Sequence, residues 1–283
     1  MDVKPQMKLG PGATVSAAKA PKMKMKKAGQ DGDQRQINYL LFGESESGKT
    51  STAANLAASD QRVFILFTDL GNDNGISGAQ VYANLKKSSE KFKDNVAWIS
   101  LDDVEQVSKF VEDPTSVVDG FWDFNPDFIL WDGFSFHQQM NIIPDVEEDT
   151  NSDDASEGSF ETYKGWGKVK NRTVRTLGNF LSLRNPNGKA LHKIVTTAVK
   201  YASEKVGPDK SEVRAQHHPD ISGAASKFIR YGFDAVIETV REKGVFEFRL
   251  DTSSATKRRF TLPDKMAADF AKLHQSVVDQ TKQ

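Results

Sequence analysis

The chain has 283 residues, enough for one large α/β domain with a real core, or a domain with appendages. Its 38 basic and 39 acidic residues nearly cancel, so no bulk field announces nucleic acid or membrane, and local charge must carry any such role. The absence of cysteine excludes disulfides, thiolate zinc sites and a cysteine nucleophile, and no apolar run approaches the roughly 20 residues of a membrane span. With no apolar leader of signal-peptide type, a cytoplasmic protein without a membrane partner is expected.

Residues 1–36 hold Lys, Gly, Pro, Ala and Gln with almost no large apolar side chains, the composition of a disordered tail. Its eight basic residues outweigh three acidic ones, which suits either loose phosphate contact or a solvated leader. Periodic text starts at Ile37, where INYLLF forms a short apolar run ending in glycine, as a buried parallel strand does before its loop. A helix is expected from Lys49 to about Ser59, followed by strands at RVFILF (62–67), NVAWISL (95–101) and PDFILWD (126–132). Helical text over 81–92 and 104–111 separates those strands, and the alternation predicts a mainly parallel α/β sheet covered on both faces.

Residues 145–161 carry eight acidic side chains and no basic one, which predicts a mobile acidic surface loop. Helical spacing returns over 163–183, with Lys164, Lys168, Lys170, Arg172 and Arg175 crowding its first half. KIVTTAV (193–199) is a fifth strand, a polar stretch covers 200–226, and DAVIETV and VFEFRLD flank REKG as a C-terminal β-hairpin. A final helix with a frayed end is expected over 264–283, which leaves 37–263 as the core.

The sharpest motif is GESESGKT at 43–50, a complete Walker A loop between a strand pattern and a helix pattern. A phosphate loop needs backbone N–H groups free to face the β-phosphate, an ammonium for the β/γ charge and a hydroxyl for Mg²⁺. Gly43 and Gly48 permit the close approach, Lys49 supplies the charge and Thr50 the hydroxyl; Glu44, Ser45, Glu46, Ser47 and Ser51 complete the cradle. ATP and Mg²⁺ are the expected ligands. The metal also needs a carboxylate at the end of an apolar strand, and Asp132 after Phe128, Ile129, Leu130 and Trp131 suits this better than Asp69. Asp69 is then placed to hold or activate the attacking water, and Thr196 and Thr197 either sense the γ-phosphate or simply finish a strand.

With these motifs in this order, the chain resembles the RecA-core ATPases, and most of all the phage-encoded nucleotide-binding proteins that include single-strand-annealing recombinases. The likeness covers roughly 36–263 and rests on the Walker loop, the Asp132 strand, the basic helix, Pro219 to Gly223 and the terminal hairpin. It implies a RecA-like P-loop fold, Mg-dependent ATP hydrolysis, a homo-oligomeric ring or filament, and action on single-stranded DNA in recombination, annealing or repair, with a single-strand-binding or replication protein as a further partner. It also implies residence in the host cytoplasm. Lys257, Arg258 and Arg259 stand where relatives reach a neighbouring subunit's triphosphate, and Lys200, Lys205, Lys210, Arg214, Lys227 and Arg230 are the expected DNA contacts. Two departures stand out: Gly71 falls about where relatives place a catalytic glutamate, and the acidic segment occupies the position of a DNA-facing loop. Other readings are an NTP-driven switch or assembly factor acting on protein partners in phage replication or packaging, a small-molecule kinase, and a binder that uses ATP structurally. No NKxD motif supports a Ras-type GTPase, and His217–His218 without further ligands does not make a metal site.

Overall fold

Apolar strand text of five or six residues, too short for helices and flanked by turn residues, forms the centre of the molecule. A computed structural model describes residues 35–68, 92–153, 163–206, 212–222, 225–250 and 260–281. The described residues fall in one compact unit. Its sheet has eight strands: β1 (Asn38–Phe42), β2 (Val63–Phe67), β3 (Val96–Ser100), β4 (Phe128–Asp132), β5 (His192–Thr197), β8 (Ala235–Glu242), β9 (Val245–Leu250) and β10 (Lys265–Ala267). Their spatial order is β10-β9-β8-β1-β5-β4-β2-β3. Pairing is parallel from β8 through to β3, and antiparallel between β8 and β9 and between β9 and β10. The sequence-derived sheet and C-terminal hairpin are therefore present; β10 is an added edge strand that three residues of weak pattern did not announce.

Alternation along each strand sends side chains to two separate cores. Tyr39, Leu41, Ile65, Leu130 and Ile194 face α1 (Lys49–Ala54) and the C-terminal helix α9 (Phe270–Thr281). Leu40, Phe42, Phe64, Leu66, Trp131 and Val195 face α3 (Val104–Glu112) and α7 (Tyr163–Ser182). Each large side chain removed from water here stabilises the fold by roughly 1.5–3 kcal/mol, and Trp131 adds edge-on contacts with Phe134 and Phe180 at 5.0 and 5.1 Å. Asp103 caps α3, accepting from the backbone N–H groups of Glu105 and Gln106. Short helices α2 (Phe92–Asn95) and α4 (Phe121–Phe124) connect strands.

Several boundaries differ from expectation. The loop helix is α-helical only to Ala54 and tightens into a 3₁₀ turn over Asn55–Ser59. The tail boundary also moves, because Arg35 pairs with Asp234 at 2.8 Å and Gln36 donates to the Leu181 carbonyl at 2.7 Å, so both belong to the body. Residues 1–34 lie outside the described residues. The acidic segment is not a loop over its first half: after α5 (Phe134–His137) and a wide turn, α6 (Ile143–Asp153) is helical. Its register sets Asp145 and Asp149, one helical turn apart, against Arg172 of α7, and the paired charge replaces the expected repulsion. Residues 154–161 lie outside the described residues. The polar stretch after β5 is likewise structured, as a two-stranded antiparallel arm of β6 (Val199–Val206) and β7 (Glu212–Pro219), followed by α8 (Ala225–Gly232).

Candidate nucleotide site

The Walker loop joins the C-terminal end of β1 to α1, and its backbone explains its glycines. A Cβ on Gly43 would lie 2.3 Å from the Thr239 carbonyl oxygen and 2.6 Å from the Thr239 hydroxyl, so the loop can leave β1 beside β8 only without one. Gly48 has φ of 86°, a left-handed conformation that glycine adopts freely, and Glu46 shares it at φ 60°. No side chain caps α1, so the N–H groups of its first turn are left for a ligand. Ser47 is buried and shares a 2.7 Å hydrogen bond with the Thr239 hydroxyl, tying the loop to β8, while Glu44, Ser45 and Glu46 are exposed.

Lys49 folds back on its own loop, donating to the carbonyls of Gly43 at 2.9 Å and Glu44 at 2.7 Å. Burial lowers its pKa, and the nearby Asp132 and Glu44 carboxylates oppose that shift. Thr50 donates to one oxygen of Asp132 at 2.8 Å, and the Thr196 hydroxyl donates to the other. The Gly133 N–H donates to the same Thr196 hydroxyl at 3.0 Å, and Thr68 bonds the Asp132 carbonyl at 3.1 Å. Trp131 donates its indole N–H to Thr68 at 2.9 Å. Asp132 is thus held by α1 and by the ends of β2 and β5, with β5 standing between the loop strand and its own.

One hydroxyl and one carboxylate are too few to cage a metal alone, and the described residues contain no cluster of three or more His, Asp or Glu that could. The pair matches Mg²⁺ carried on phosphate, which keeps waters and takes one or two protein ligands. Thr50 and Asp132 would hold the ion, and Lys49 would supply its positive charge to the phosphate oxygens.

Of the expected site residues, 43–51 and Asp132 come together here. Thr197 does not join them. Alternation along β5 turns it to the face opposite Thr196, and its buried hydroxyl has no hydrogen-bond partner among the described residues. Thr196 is therefore the threonine of the site. Asp69, Gly71 and the Lys257–Arg259 cluster lie outside the described residues, as does Lys210. Lys200 is exposed on β6, while Lys205 and Arg214 occupy positions on the arm and Lys227 and Arg230 positions on α8. Residues with no motif to mark them also enter: Thr68 from the end of β2, Thr239 from within β8, and Tyr201 and His217 from the arm. Tyr201 donates its hydroxyl to the Glu44 carboxylate, and His217 pairs with Glu238 in the middle of β8.

A phosphate loop anchored on one side, a hydroxyl–carboxylate pair on the other and a strand between them define a P-loop nucleotide-binding protein. In agreement, the AAA domain model AAA_24 matches residues 35–272, and the chain belongs to that family. Comparison with the curated proteins gives no match. Among solved structures, the crystal structure of the RadB recombinase is similar at 12% identity and a TM-score of 0.43, over 76% of this chain and 80% of that one. No helix among the described residues is long and apolar enough to cross a membrane.

Proposed function

We propose that the chain binds ATP with Mg²⁺, hydrolyses it, and uses the cycle to act on single-stranded DNA in recombination, annealing or repair. The observation that carries the nucleotide part is the convergence of Lys49, Thr50, Asp132 and Thr196 at the C-terminal ends of the central strands β1, β5 and β4. Phosphoryl transfer asks of a protein mainly positioning and charge stabilisation, and this set supplies both. Mg²⁺ would add neutralisation of the β- and γ-oxygens. Asp69 is proposed to orient the attacking water, and Lys257, Arg258 and Arg259 to complete the site of a neighbouring copy in a ring or filament.

The DNA part is supported by the β6–β7 arm, which carries the exposed Lys200 and Tyr201 beside the loop and further cationic positions at Lys205 and Arg214. Cations that follow a backbone and an aromatic ring on which bases stack are the ingredients of single-strand binding. The test is ATP hydrolysis with and without single-stranded DNA. Wild type is expected to be stimulated, and Lys49→Ala to lose activity by about 100-fold or more. Hydrolysis without stimulation, together with no DNA retention at low salt, would overturn the DNA part. A switch acting on a protein partner would then show itself as capture that differs between ATP and ADP.

A further inference from the structure

The C-terminal hairpin meets the phosphate loop on the side of β1 away from the metal-binding groups. Asp132 and Thr196 lie on β4 and β5, whereas β8 and β9 lie across β1 from them. Mg²⁺ bridges β- and γ-oxygens, so a triphosphate held by Thr50 and Asp132 points its γ end towards β5 and its nucleoside end towards the hairpin. What stands there is Phe246. A Cβ on Gly48 would lie 2.9 Å from two atoms of the Phe246 ring, so the ring rests directly on the glycine of the loop. Phe248, on the same face of β9, is 2% exposed in the core that includes Ala53 and Ala54 of α1, yet Phe246 is 37% exposed. Its cross-strand partner Arg241 is exposed too and sets its guanidinium 5.4 Å from the ring centroid.

The position is held from two sides. The Phe246 carbonyl accepts from the Ala268 N–H at 3.1 Å, and Thr239 ties β8 to Ser47 of the loop at 2.7 Å. A phenyl ring and a guanidinium are both planar, and each stacks on a nucleobase without needing a hydrogen-bond pattern. We infer that Phe246 and Arg241 form the platform on which the base of a bound nucleoside triphosphate stacks. This rests on the nucleotide site proposed above and adds its base-binding half. A cavity of about 320 Å³ borders the loop on the other face of β8, but Glu44, Glu46, Glu238 and Glu242 line it, and its Arg249 is already engaged by Glu242 and Glu247. So many carboxylates repel the phosphates that a nucleotide brings with it.

The measurement is titration calorimetry of the full chain with a non-hydrolysable ATP analogue and with inorganic tripolyphosphate, each with Mg²⁺. Tripolyphosphate offers the loop its phosphates but carries no base. Phe246→Leu keeps an apolar side chain against Gly48 and removes the plane, so it is expected to weaken the analogue about tenfold and leave tripolyphosphate unchanged. Phe246→Trp restores a plane and should bind the analogue at least as well as wild type. Its added indole emission, taken as the difference from wild type, should change with the analogue and not with tripolyphosphate. Equal losses of both ligands in Phe246→Leu overturn the platform, since the ring then only shapes the loop. An unchanged analogue affinity in Phe246→Leu, or an indole in Phe246→Trp that responds to both ligands alike, overturns it as well. Wild type that binds neither ligand, with Lys49→Ala no different, sinks the nucleotide site itself, a failure distinct from either of those.

Discussion

The two ends of β5 bury ionisable chemistry in opposite ways. At the C-terminal end, Thr196 and Thr50 donate to the two oxygens of Asp132 at the rim of the phosphate loop, where a ligand can reach the group. At the N-terminal end, Lys193 is wholly buried and its Nζ donates to the Leu183 and Leu191 carbonyls at 2.8 and 2.7 Å. Beside it, His192 accepts the Ile37 N–H at 3.1 Å and His274 shares a 2.8 Å bond with the Tyr39 hydroxyl, their rings 4.5 Å apart. One end keeps hydroxyls and a carboxylate that can be re-partnered, whereas the other spends its polar atoms on the fold. The difference separates a site from a structural cluster more reliably than the residue types do, since lysine and histidine are common in both.

The strongest way to break that comparison is acid. Burial first, with help from His274 and Lys193, pushes His192 down to about 3, and burial lowers His274 and His137 each to about 4. Each folded pKa lies below its unfolded value, so the unfolded chain takes up protons first as pH falls. Their contribution to stability is complete above about pH 6.5 and is lost towards pH 4, at up to about 1.4 kcal/mol per pH unit for each histidine. Lys193, lowered by burial and by Arg184 to about 6, acts in the same sense at higher pH: stability rises from pH 6 towards 10.5 because the unfolded lysine still holds the proton that the folded one has lost. The unfolding free energy from urea titrations should therefore fall by several kcal/mol between pH 6.5 and 4.5, with a shallower pH slope in His274→Leu. A flat profile would mean that these rings are already protonated or hydrated in the native state.

At the other end of β5, the comparison is sharpened by two adjacent threonines. Thr196→Ala removes a donor to Asp132 and should slow hydrolysis about tenfold or more while raising the Mg²⁺ needed for half-maximal rate. Thr197→Ala should leave the Mg²⁺ requirement where it is, because that side chain faces away from Asp132. Magnesium titrations of the two variants decide this, and a reversed order would place the metal on the wrong face of β5.

The phosphate loop and the Asp132 strand were legible in the sequence because both are local: glycine, lysine and hydroxyl at fixed spacing, and an apolar run that stops at a carboxylate. The same holds for the terminal hairpin, where Lys243 and Gly244 turn the chain with positive φ between two alternating strands. Less legible was anything that depends on two distant segments meeting. The choice of Thr196 over Thr197 depends on strand phase, which one residue of boundary error reverses. Thr68 and Thr239 reach the site only because β2 ends beside it and β8 runs past it, and no spacing announces that. The arm was hidden for a different reason: among the described residues its strands pair only with each other, and they lack the apolar face that marks a core strand.

The acidic segment gives the smallest effect and a third kind of charged region, neither a site nor a buried cluster. Eight carboxylates in a row look repulsive until α6 turns Asp145 and Asp149 onto Arg172, which then answers two of them from the middle of the basic helix α7. These side chains stay between about a third and a little over half exposed, so water and salt screen the pairing. Arg172→Ala should cost under about 1 kcal/mol at low salt and almost nothing in molar salt, where the screening length is about 3 Å. Because α6 already neutralises this face, the same substitution should leave single-stranded DNA retention unchanged, whereas Lys200→Ala on the open arm should weaken it and flatten its salt dependence by about one counterion. Paired unfolding and retention measurements on the two variants separate them. Equal losses of DNA retention would move the contact from the arm to α7, and with it the meaning of the acidic helix that covers it.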